Sequence, residues 1–178
     1  DPIDGTSNVV RGLPYFAVSI ALIRNGRSVL GVVYDPVADE VFAAESGRGA
    51  FLNGARLLRR NAVTELAHAL ANVDLKRLDS KLAGKLAMHP PYASQRNFGA
   101  STLDWCYTAA GRFDLYLHGG QKLWDYAAGS LVLQEAGGHV CSLELDDFSQ
   151  GNVWQRSVVA SLDANLFDEW KRWLRAQR

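Results

Sequence analysis

Residues 1–8 read DPIDGTSN, a stretch in which two carboxylates, Asp1 and Asp4, precede a glycine and two hydroxyl residues. Carboxylate oxygens at this density suit a hard cation such as Mg²⁺. Gly5 permits a tight turn with successive N–H groups pointing one way, and such groups beside a divalent cation form a phosphate cradle. The stretch therefore indicates a metal-assisted phosphate site at the end of a strand. The alternative is an Asx-turn or helix N-cap, which favours the same residue types.

A second stretch far downstream favours the metal site. Residues 123–129 read LWDYAAG and residues 135–138 read EAGG. Together with DPIDGTSN, these motifs resemble those of the inositol monophosphatase family, the Mg²⁺-dependent, lithium-sensitive sugar phosphatases. Residues 12–14 and 17–21 resemble a strand of that family, and residues 49–54 resemble its hairpin. The resemblance thus extends over nearly the whole chain.

The composition is that of a globular protein, since 48% of the 178 residues are hydrophobic and 21% are charged. The formal net charge of zero argues against a bulk attraction to nucleic acid or to an anionic membrane. No apolar run is long enough to span a bilayer, and no signal peptide is visible. Cys106 and Cys141 lie in apolar stretches, and we expect two buried thiols in a reducing cytoplasm.

Turn signals divide residues 15–58 into the strands of an antiparallel meander. Asn25-Gly26 and Asn53-Gly54 are the strongest hairpin signals. Beyond residue 61 the pattern becomes mixed α/β. Predicted helices are 81–88, 102–110, 126–136 and a final helix capped by Ser161 or Asp163, and predicted strands are 113–117, 140–143 and 158–161. Residues 64–71 form either a short helix or a strand, and residues 118–122 are predicted to be a loop.

The resemblance implies an α/β (α+β) fold, as part of an α/β/α/β/α layered sandwich whose N-terminal portion is missing. Residues 1–60 would be the remainder of an N-terminal antiparallel-sheet domain carrying DPIDGT. Residues 61–178 would be a C-terminal α/β domain carrying WDYAAG. Family members carry further helices, strands and a water-activating Glu upstream of this point. We therefore expect the chain as it stands to be an inactive piece of a homodimeric enzyme.

The resemblance also implies a role for each residue of the two motifs. The implied metal ligands are Asp1, the backbone carbonyl of Ile3, Asp4 and Asp125. Asp4 is also assigned to catalysis together with Thr6, which matches the family threonine that orients the attacking water with the upstream Glu. The N–H groups expected to hold the phosphate oxygens are those of Gly5, Thr6 and Ser7.

Two further residues are candidates for substrate binding. Ser101 aligns with a small residue near the substrate and offers a hydroxyl. His118 stands where inositol-cleaving family members carry a Glu that accepts hydrogen bonds from sugar hydroxyls. An imidazole can donate, accept or carry positive charge, so the change suits another polyol or a second anionic group. The presence of His118 in place of Glu affects the expected substrate specificity and leaves the phosphatase chemistry unchanged.

The leading interpretation is an Mg²⁺-dependent phosphomonoesterase that hydrolyses a small polyol or sugar phosphate, such as inositol 1-phosphate, by metal-activated water attack. Relatives with other specificities hydrolyse fructose bisphosphate, NADP, histidinol phosphate or 3'(2'),5'-bisphosphate nucleotides. The alternative from a different class is a regulatory member that binds protein or RNA, with incidental phosphatase activity. The absence of a basic patch in the sequence argues against direct RNA binding.

Overall fold

The computed structural model describes residues 1–58 and 63–177, and these residues form two five-stranded β-sheets and five α-helices. The first sheet is an antiparallel meander in chain order, β1-β2-β3-β4-β5. Its strands are β1 (Val18–Arg24), β2 (Arg27–Asp35), β3 (Glu40–Glu45), β4 (Gly49–Leu52) and β5 (Ala55–Arg56). The predicted meander is therefore confirmed.

Both predicted hairpin turns are present in the first sheet. Asn25, between β1 and β2, has φ of 52°, and Asn53, between β4 and β5, has φ of 49°. Positive φ at the first central residue is required by the tight turn whose twist matches that of the flanking strands. The first turn pairs Arg24 with Arg27, and a register shift between Leu22 and Ile23 then places Ile20 opposite Val32.

The second sheet is mixed and has the strand order β7-β6-β8-β10-β9. Its strands are β6 (Leu70–Asp74), β7 (Ser94–Arg96), β8 (Leu115–Lys122), β9 (His139–Cys141) and β10 (Gln155–Ser161). β6 pairs in parallel with β7 and β8, whereas β10 pairs antiparallel with β8 and β9. The carboxyl ends of β6 and β8 consequently point toward the same edge.

Two helices lie between the sheets and two lie on the far side of the second sheet. The helices are α1 (Thr6–Val10), α2 (Ser80–Met88), α3 (Ser101–Ala109), α4 (Leu123–Glu135) and α5 (Ala164–Ala176). One core cluster joins the first sheet to α3, α4 and Tyr116 of β8. A second joins Leu115 and Leu117 of β8 to α2 and α5. This layering confirms the expected part of the sandwich, and none of the described helices is long and apolar enough to cross a membrane.

The helix α4 is held tightly at several points. A Cβ atom on Gly129 would lie 2.4 Å from the Cβ of Trp105 in α3, so no larger residue fits at this crossing. At the last residue of the helix, the Glu135 carboxylate accepts hydrogen bonds from the N–H groups of Gly47 (2.7 Å) and Gly49 (2.8 Å). Glu135 thus ties α4 to the turn between β3 and β4.

Several predicted elements require correction. Residues 118–122 are not a loop, because β10 pairs with β8 as far as Lys122. Residues 64–71 contain a 3-10 turn (Leu66–His68) followed by the start of β6. The helix α4 begins at Leu123, three residues before the predicted start. Of the two caps predicted for α5, Asp163 is the one observed, which confirms that alternative. The expected domain boundary between residues 60 and 61 lies outside the described residues.

Candidate functional site

The N-terminal segment lies beside the extension of β1 and is fixed there by backbone hydrogen bonds. The N–H of Asp4 donates to the carbonyl of Ala17 (2.9 Å), and the N–H of Ala17 donates back (3.1 Å). The N–H of Ser19 donates to the carbonyl of Asp1 (2.9 Å). Gly5 follows with φ of 83°, and a Cβ atom there would lie 2.9 Å from the carbonyl oxygen of Tyr15. The chain therefore turns directly after Asp4, as the motif predicts.

Asp4 is largely buried and is oriented by the first turn of α3. Its Oδ2 accepts hydrogen bonds from the N–H (2.7 Å) and the hydroxyl (2.8 Å) of Thr102. Burial raises the pKa of Asp4 and the negative charge of Asp125 adds to the rise, whereas the hydrogen bonds from Thr102 oppose it. Ionised Asp4 is therefore destabilised by burial, and a positively charged partner would offset this unfavourable free energy.

Asp125 lies in the first turn of α4, where the chain leaves β8. Its Oδ2 accepts a hydrogen bond from the N–H of Lys122 (2.9 Å), the residue before the helix, so Asp125 has the capping-box role of a third helical residue. This contact fixes the rotamer of the side chain and leaves Oδ1 for another partner. The capping role and a ligand role are thus compatible.

One carboxylate oxygen from each of Asp1, Asp4 and Asp125 lies within 4.8 Å of the other two. Within residues 1–58 and 63–177, no ion pair joins any of these three carboxylates to a Lys or Arg side chain. Three converging anions without a cationic side chain repel one another, and an all-oxygen donor set suits a hard divalent cation. The residues present therefore fit Mg²⁺, and Ile3, whose carbonyl was expected to complete the set, lies between two of them in sequence.

The residues expected to bind phosphate lie immediately beside this cluster. Thr6 and Ser7 are exposed and form the first turn of α1, where N–H groups have no carbonyl acceptor within the helix. Asn8, for which the motif alone predicts no role, is buried and donates hydrogen bonds to the carbonyls of Tyr15 and Phe98, each at 2.7 Å. Asn8 thereby fastens the motif to the segment that leads into α3.

The two candidates for substrate binding occupy different environments. Ser101 is the first residue of α3, is half-buried and directly precedes Thr102. His118 lies in β8 and is buried, with its Nε2 3.4 Å from Oδ2 of Asp74. The Nδ1 of His118 accepts a hydrogen bond from the N–H of Gly120 (3.1 Å). Both imidazole nitrogens therefore already face protein groups.

A buried polar group near Asp4 was not apparent in the sequence. Asp104 of α3 is 4% exposed and accepts a hydrogen bond from the hydroxyl of Tyr15 (3.1 Å). Burial raises the pKa of Asp104 to about 8, and the charges of Asp4 and Asp74 contribute to the rise. The amide of Asn72 lies beside this carboxyl and lowers its pKa, but its geometry is outside that of an ordinary hydrogen bond.

The chain is similar to known proteins of one family. The model of the inositol monophosphatase family matches residues 1–172. The Nus factor SuhB of Pasteurella multocida is 42% identical over 161 residues, which are 88% of this chain and 58% of that protein. The inositol-1-monophosphatase of Caulobacter vibrioides is 36% identical over 167 residues, 90% of this chain and 64% of that protein.

Solved structures show the same fold over the whole chain. The inositol monophosphatase from Anabaena (Nostoc) sp. PCC 7120 superposes with a TM-score of 0.86 at 31% identity, covering 100% of this chain and 71% of that one. The chain spans about three fifths of the length of the relatives that it matches. The extent of the match, the shared fold and the convergence of the three aspartates lead to one conclusion: the chain belongs to the inositol monophosphatase family.

Proposed function

We propose that the full-length protein is an Mg²⁺-dependent phosphomonoesterase that hydrolyses a small polyol or sugar phosphate, such as inositol 1-phosphate. The observation that carries the proposal is the convergence of Asp1, Asp4 and Asp125 within 4.8 Å, in a chain of a phosphatase family. The three carboxylates come from two distant motifs and meet at one point. Helix capping and turn formation alone do not explain why the three carboxylates converge.

In this proposal the metal is held by Asp1, Asp4, Asp125 and the carbonyl of Ile3. Bound Mg²⁺ supplies charge neutralisation for the phosphoryl group and a lowered pKa for a water molecule. The protein supplies the orientation of the ligands, since Thr102 fixes Asp4 and the N–H of Lys122 fixes Asp125. Mutation of a residue that orients a ligand therefore tests the contribution of the protein to catalysis separately from that of the metal.

The remaining roles concern the phosphate and the attacking water. The N–H groups of Gly5, Thr6 and Ser7 hold the phosphoryl oxygens in the position where negative charge increases during the reaction. The hydroxyl of Thr6 orients the water whose oxygen bonds to phosphorus while the ester P–O bond breaks. The exposed position of Thr6 and Ser7 beside the aspartates leaves room for a substrate, which supports this assignment.

The test is phosphate release by the full-length protein with and without Mg²⁺. The substrate panel contains inositol 1-phosphate, fructose bisphosphate, histidinol phosphate, adenosine bisphosphate and NADP. We expect Mg²⁺-dependent release from one or more of them. Asp168→Asn, which alters a carboxylate on the distant helix α5, is the matched control and should leave the rate unchanged. A folded protein that releases no phosphate from any member of the panel contradicts the proposal.

A second candidate function is regulation through binding to protein or RNA, with the phosphatase activity incidental. The observation that favours it is the 42% identity to a protein named Nus factor SuhB. The formal net charge of zero favours a protein partner over a nucleic acid. Retention of partner binding by an inactive Asp125→Asn variant would support this function. We extend both proposals, on the resemblance, to a homodimer in the cytoplasm, which sedimentation and fractionation can test.

A further inference from the structure

The side chains of Asn72 and Asp104 are two buried polar groups that meet between β6 and α3. Asn72 is 1% exposed and lies opposite Tyr116 in the register of β6 with β8. Successive residues of a strand alternate between faces, and Val73 packs in the core cluster on the other face, so the amide of Asn72 points toward α3. The Tyr116 ring packs edge-to-face on Trp105, the residue after Asp104, with the ring centroids 5.3 Å apart. The same packing layer therefore encloses the amide and the carboxyl.

The Asn72 amide lacks the hydrogen bonds that a buried amide needs. Its Nδ2 and Oδ1 are shielded from solvent and have no hydrogen-bond partner among the residues that the structure describes. The carboxyl of Asp104 lies beside the amide, and its Oδ1 accepts a hydrogen bond from the Tyr15 hydroxyl (3.1 Å). An ionised carboxylate only accepts hydrogen bonds, so it cannot satisfy the amide oxygen. A protonated carboxyl can donate to Oδ1 of Asn72 and accept from Nδ2, which satisfies both atoms.

The surroundings of Asp104 also favour its neutral form. Two carboxylates, two phenols and one thiol are the titratable groups near it: Asp4, Asp74, Tyr15, Tyr116 and Cys106. No ion pair joins Asp104 to a Lys, Arg or His side chain within the described parts of the chain. Burial and the two carboxylates raise the pKa of Asp104 to about 8. A bridging water molecule would satisfy the amide but would leave an ionised Asp104 buried among like charges.

We infer that Asp104 and Asn72 hold a buried proton beside the candidate metal centre, and that this proton leaves when a divalent cation binds to the three converging aspartates. In the bound state the Asp104 hydroxyl donates to Oδ1 of Asn72. On release only the O–H bond of Asp104 breaks, and the proton passes to the solvent. The cause is electrostatic, because the charge of Asp4 helps to hold the proton and a bound cation offsets that charge. The acid–amide pair is independent of the proposed phosphatase function, whereas the release rests on the metal centre of that proposal.

The linkage gives metal binding a pH dependence of defined sign. As the pH rises through about 8, Asp104 loses its proton and adds a negative charge near the metal centre. The added charge favours a bound cation, so the affinity for Mg²⁺ rises with pH in this range. By reciprocity, cation binding displaces the proton, and couplings of this kind change an affinity by about 5-fold or more.

The first test is infrared spectroscopy of the full-length protein without divalent cations at about pH 7. We expect the carbonyl-stretching band of a protonated carboxyl group, part of which Asp104→Asn should abolish. Asp114→Asn is the matched control and should leave that part unchanged. Asp114 is half-buried, its pKa is also raised by burial, and it accepts a backbone N–H at the opposite end of β8 from Asp125. A spectrum with no band lost in Asp104→Asn would show an ionised Asp104 and would overturn the inference.

A variant of Asn72 tests the partner of the proton. Asn72→Leu removes both hydrogen-bonding atoms at a similar side-chain volume. The carbonyl band of Asp104 should then move to higher frequency, as for a carboxyl group with weaker hydrogen bonds. A role of Asn72 in packing alone would leave the frequency unchanged, and that result in a folded variant would overturn the pairing. If Asn72→Leu does not fold, Asn72→Ser allows the same comparison.

The second test is calorimetric titration of the full-length protein with Mg²⁺ at about pH 7 and about pH 9. Buffers of different ionisation enthalpy report the number of protons released. We expect the affinity of the wild type to rise by about 5-fold more than that of Asp104→Asn between the two pH values. Proton release at about pH 7 should be smaller in Asp104→Asn, and addition of Mg²⁺ should weaken the Asp104 infrared band of the wild type. Asp114→Asn should behave as the wild type does.

The outcomes separate this inference from the proposed function. If Mg²⁺ binds and supports phosphate release but leaves the Asp104 band unchanged, the linkage fails and the phosphatase proposal stands. If Mg²⁺ does not bind, the metal centre of the phosphatase proposal fails and the linkage fails with it. The infrared comparison without cations then still decides whether Asp104 and Asn72 share a proton.

Discussion

Thr102 donates two hydrogen bonds to a single oxygen of Asp4, although the two residues are 98 positions apart in the chain. The backbone N–H and the hydroxyl both approach Oδ2, which directs Oδ1 away from α3. The orientation of a carboxylate in the first motif is therefore determined by a helix of the second half. This contact makes Thr102 a positioning residue for the candidate metal centre.

Replacing Thr102 with Val should weaken Mg²⁺ binding. The variant keeps the N–H donor and the side-chain shape but removes the hydroxyl, so Asp4 loses one of the two bonds that orient it. Loss of such an outer contact lowers metal affinity by about 10-fold or more. Calorimetric titration of the full-length protein with Mg²⁺ measures the effect. Thr108→Val, which removes another buried hydroxyl of α3, is the control and should leave the affinity unchanged.

Replacing Asp125 with Asn should abolish Mg²⁺-dependent turnover and leave the protein folded. The amide oxygen of Asn can still accept the hydrogen bond from the N–H of Lys122, so the start of α4 is preserved. The substitution removes the negative charge that faces Asp1 and Asp4. Phosphate release and circular dichroism, measured on the same preparation, check both parts of the expectation. Activity equal to that of the wild type would remove Asp125 from the metal centre.

Replacing Gly129 with Ala should destabilise the protein by about 1–3 kcal/mol, as expected for overpacking. The new methyl group has to displace Trp105, whose Cβ lies 2.4 Å from its position. Gly84→Ala provides the contrast, since Gly84 is exposed in α2 and no atom lies within 4 Å of its added Cβ. That variant should gain about 0.5–1 kcal/mol. Urea unfolding of both variants measures whether each substitution lowers or raises the free energy of unfolding. Equal changes in the two variants would contradict the packing argument.

Replacing Asp104 with Asn should change the pH dependence of stability. Burial raises the pKa of Asp104 to about 8, so the folded state keeps this proton while the unfolded state releases it near its ordinary value of 3.8. Between about pH 4 and pH 8 the folded state binds more protons, and stability falls as the pH rises. The Asn variant lacks this decrease and still accepts the hydrogen bond from Tyr15.

The measurement is the free energy of unfolding of wild type and Asp104→Asn at pH 5 and pH 8, without divalent cations. We expect the variant to lose less stability between the two pH values than the wild type. An identical change for the two proteins would show that Asp104 is already ionised in the folded state at pH 5, which contradicts the raised pKa.

Local signals in the sequence predicted the first sheet well. Asn25 and Asn53 adopt positive φ in the hairpin turns, as their type and spacing indicate. The long motif around Asp125 likewise predicted a helix beginning near this residue. These features depend on neighbouring residues, so the sequence contains most of the information that determines them.

The features that the sequence did not reveal depend on distant contacts. Residues 118–122 have two glycines and low strand propensity, yet they form a strand because β10 supplies hydrogen bonds and Gly119 accommodates the backbone of Arg77. Thr102 contacts Asp4 and Asp74 contacts His118, and the two residues of each pair are remote in sequence. No local pattern marks such residues. The packing of α3 against the N-terminal motif brings Thr102 to Asp4, and the pairing of β6 with β8 brings Asp74 to His118.

The convergence of Asp4 and Asp125 has a consequence for folding. The two residues lie on either side of a long loop of chain, and a cation bound to both would close that loop as a reversible cross-link. Restricting a loop of this length in the unfolded chain removes conformational entropy, much as a disulfide does. Removal of the cation by a chelator would open this cross-link without breaking a covalent bond. Occupancy of the metal centre would then govern how long the protein survives heating, in addition to whether it turns over substrate.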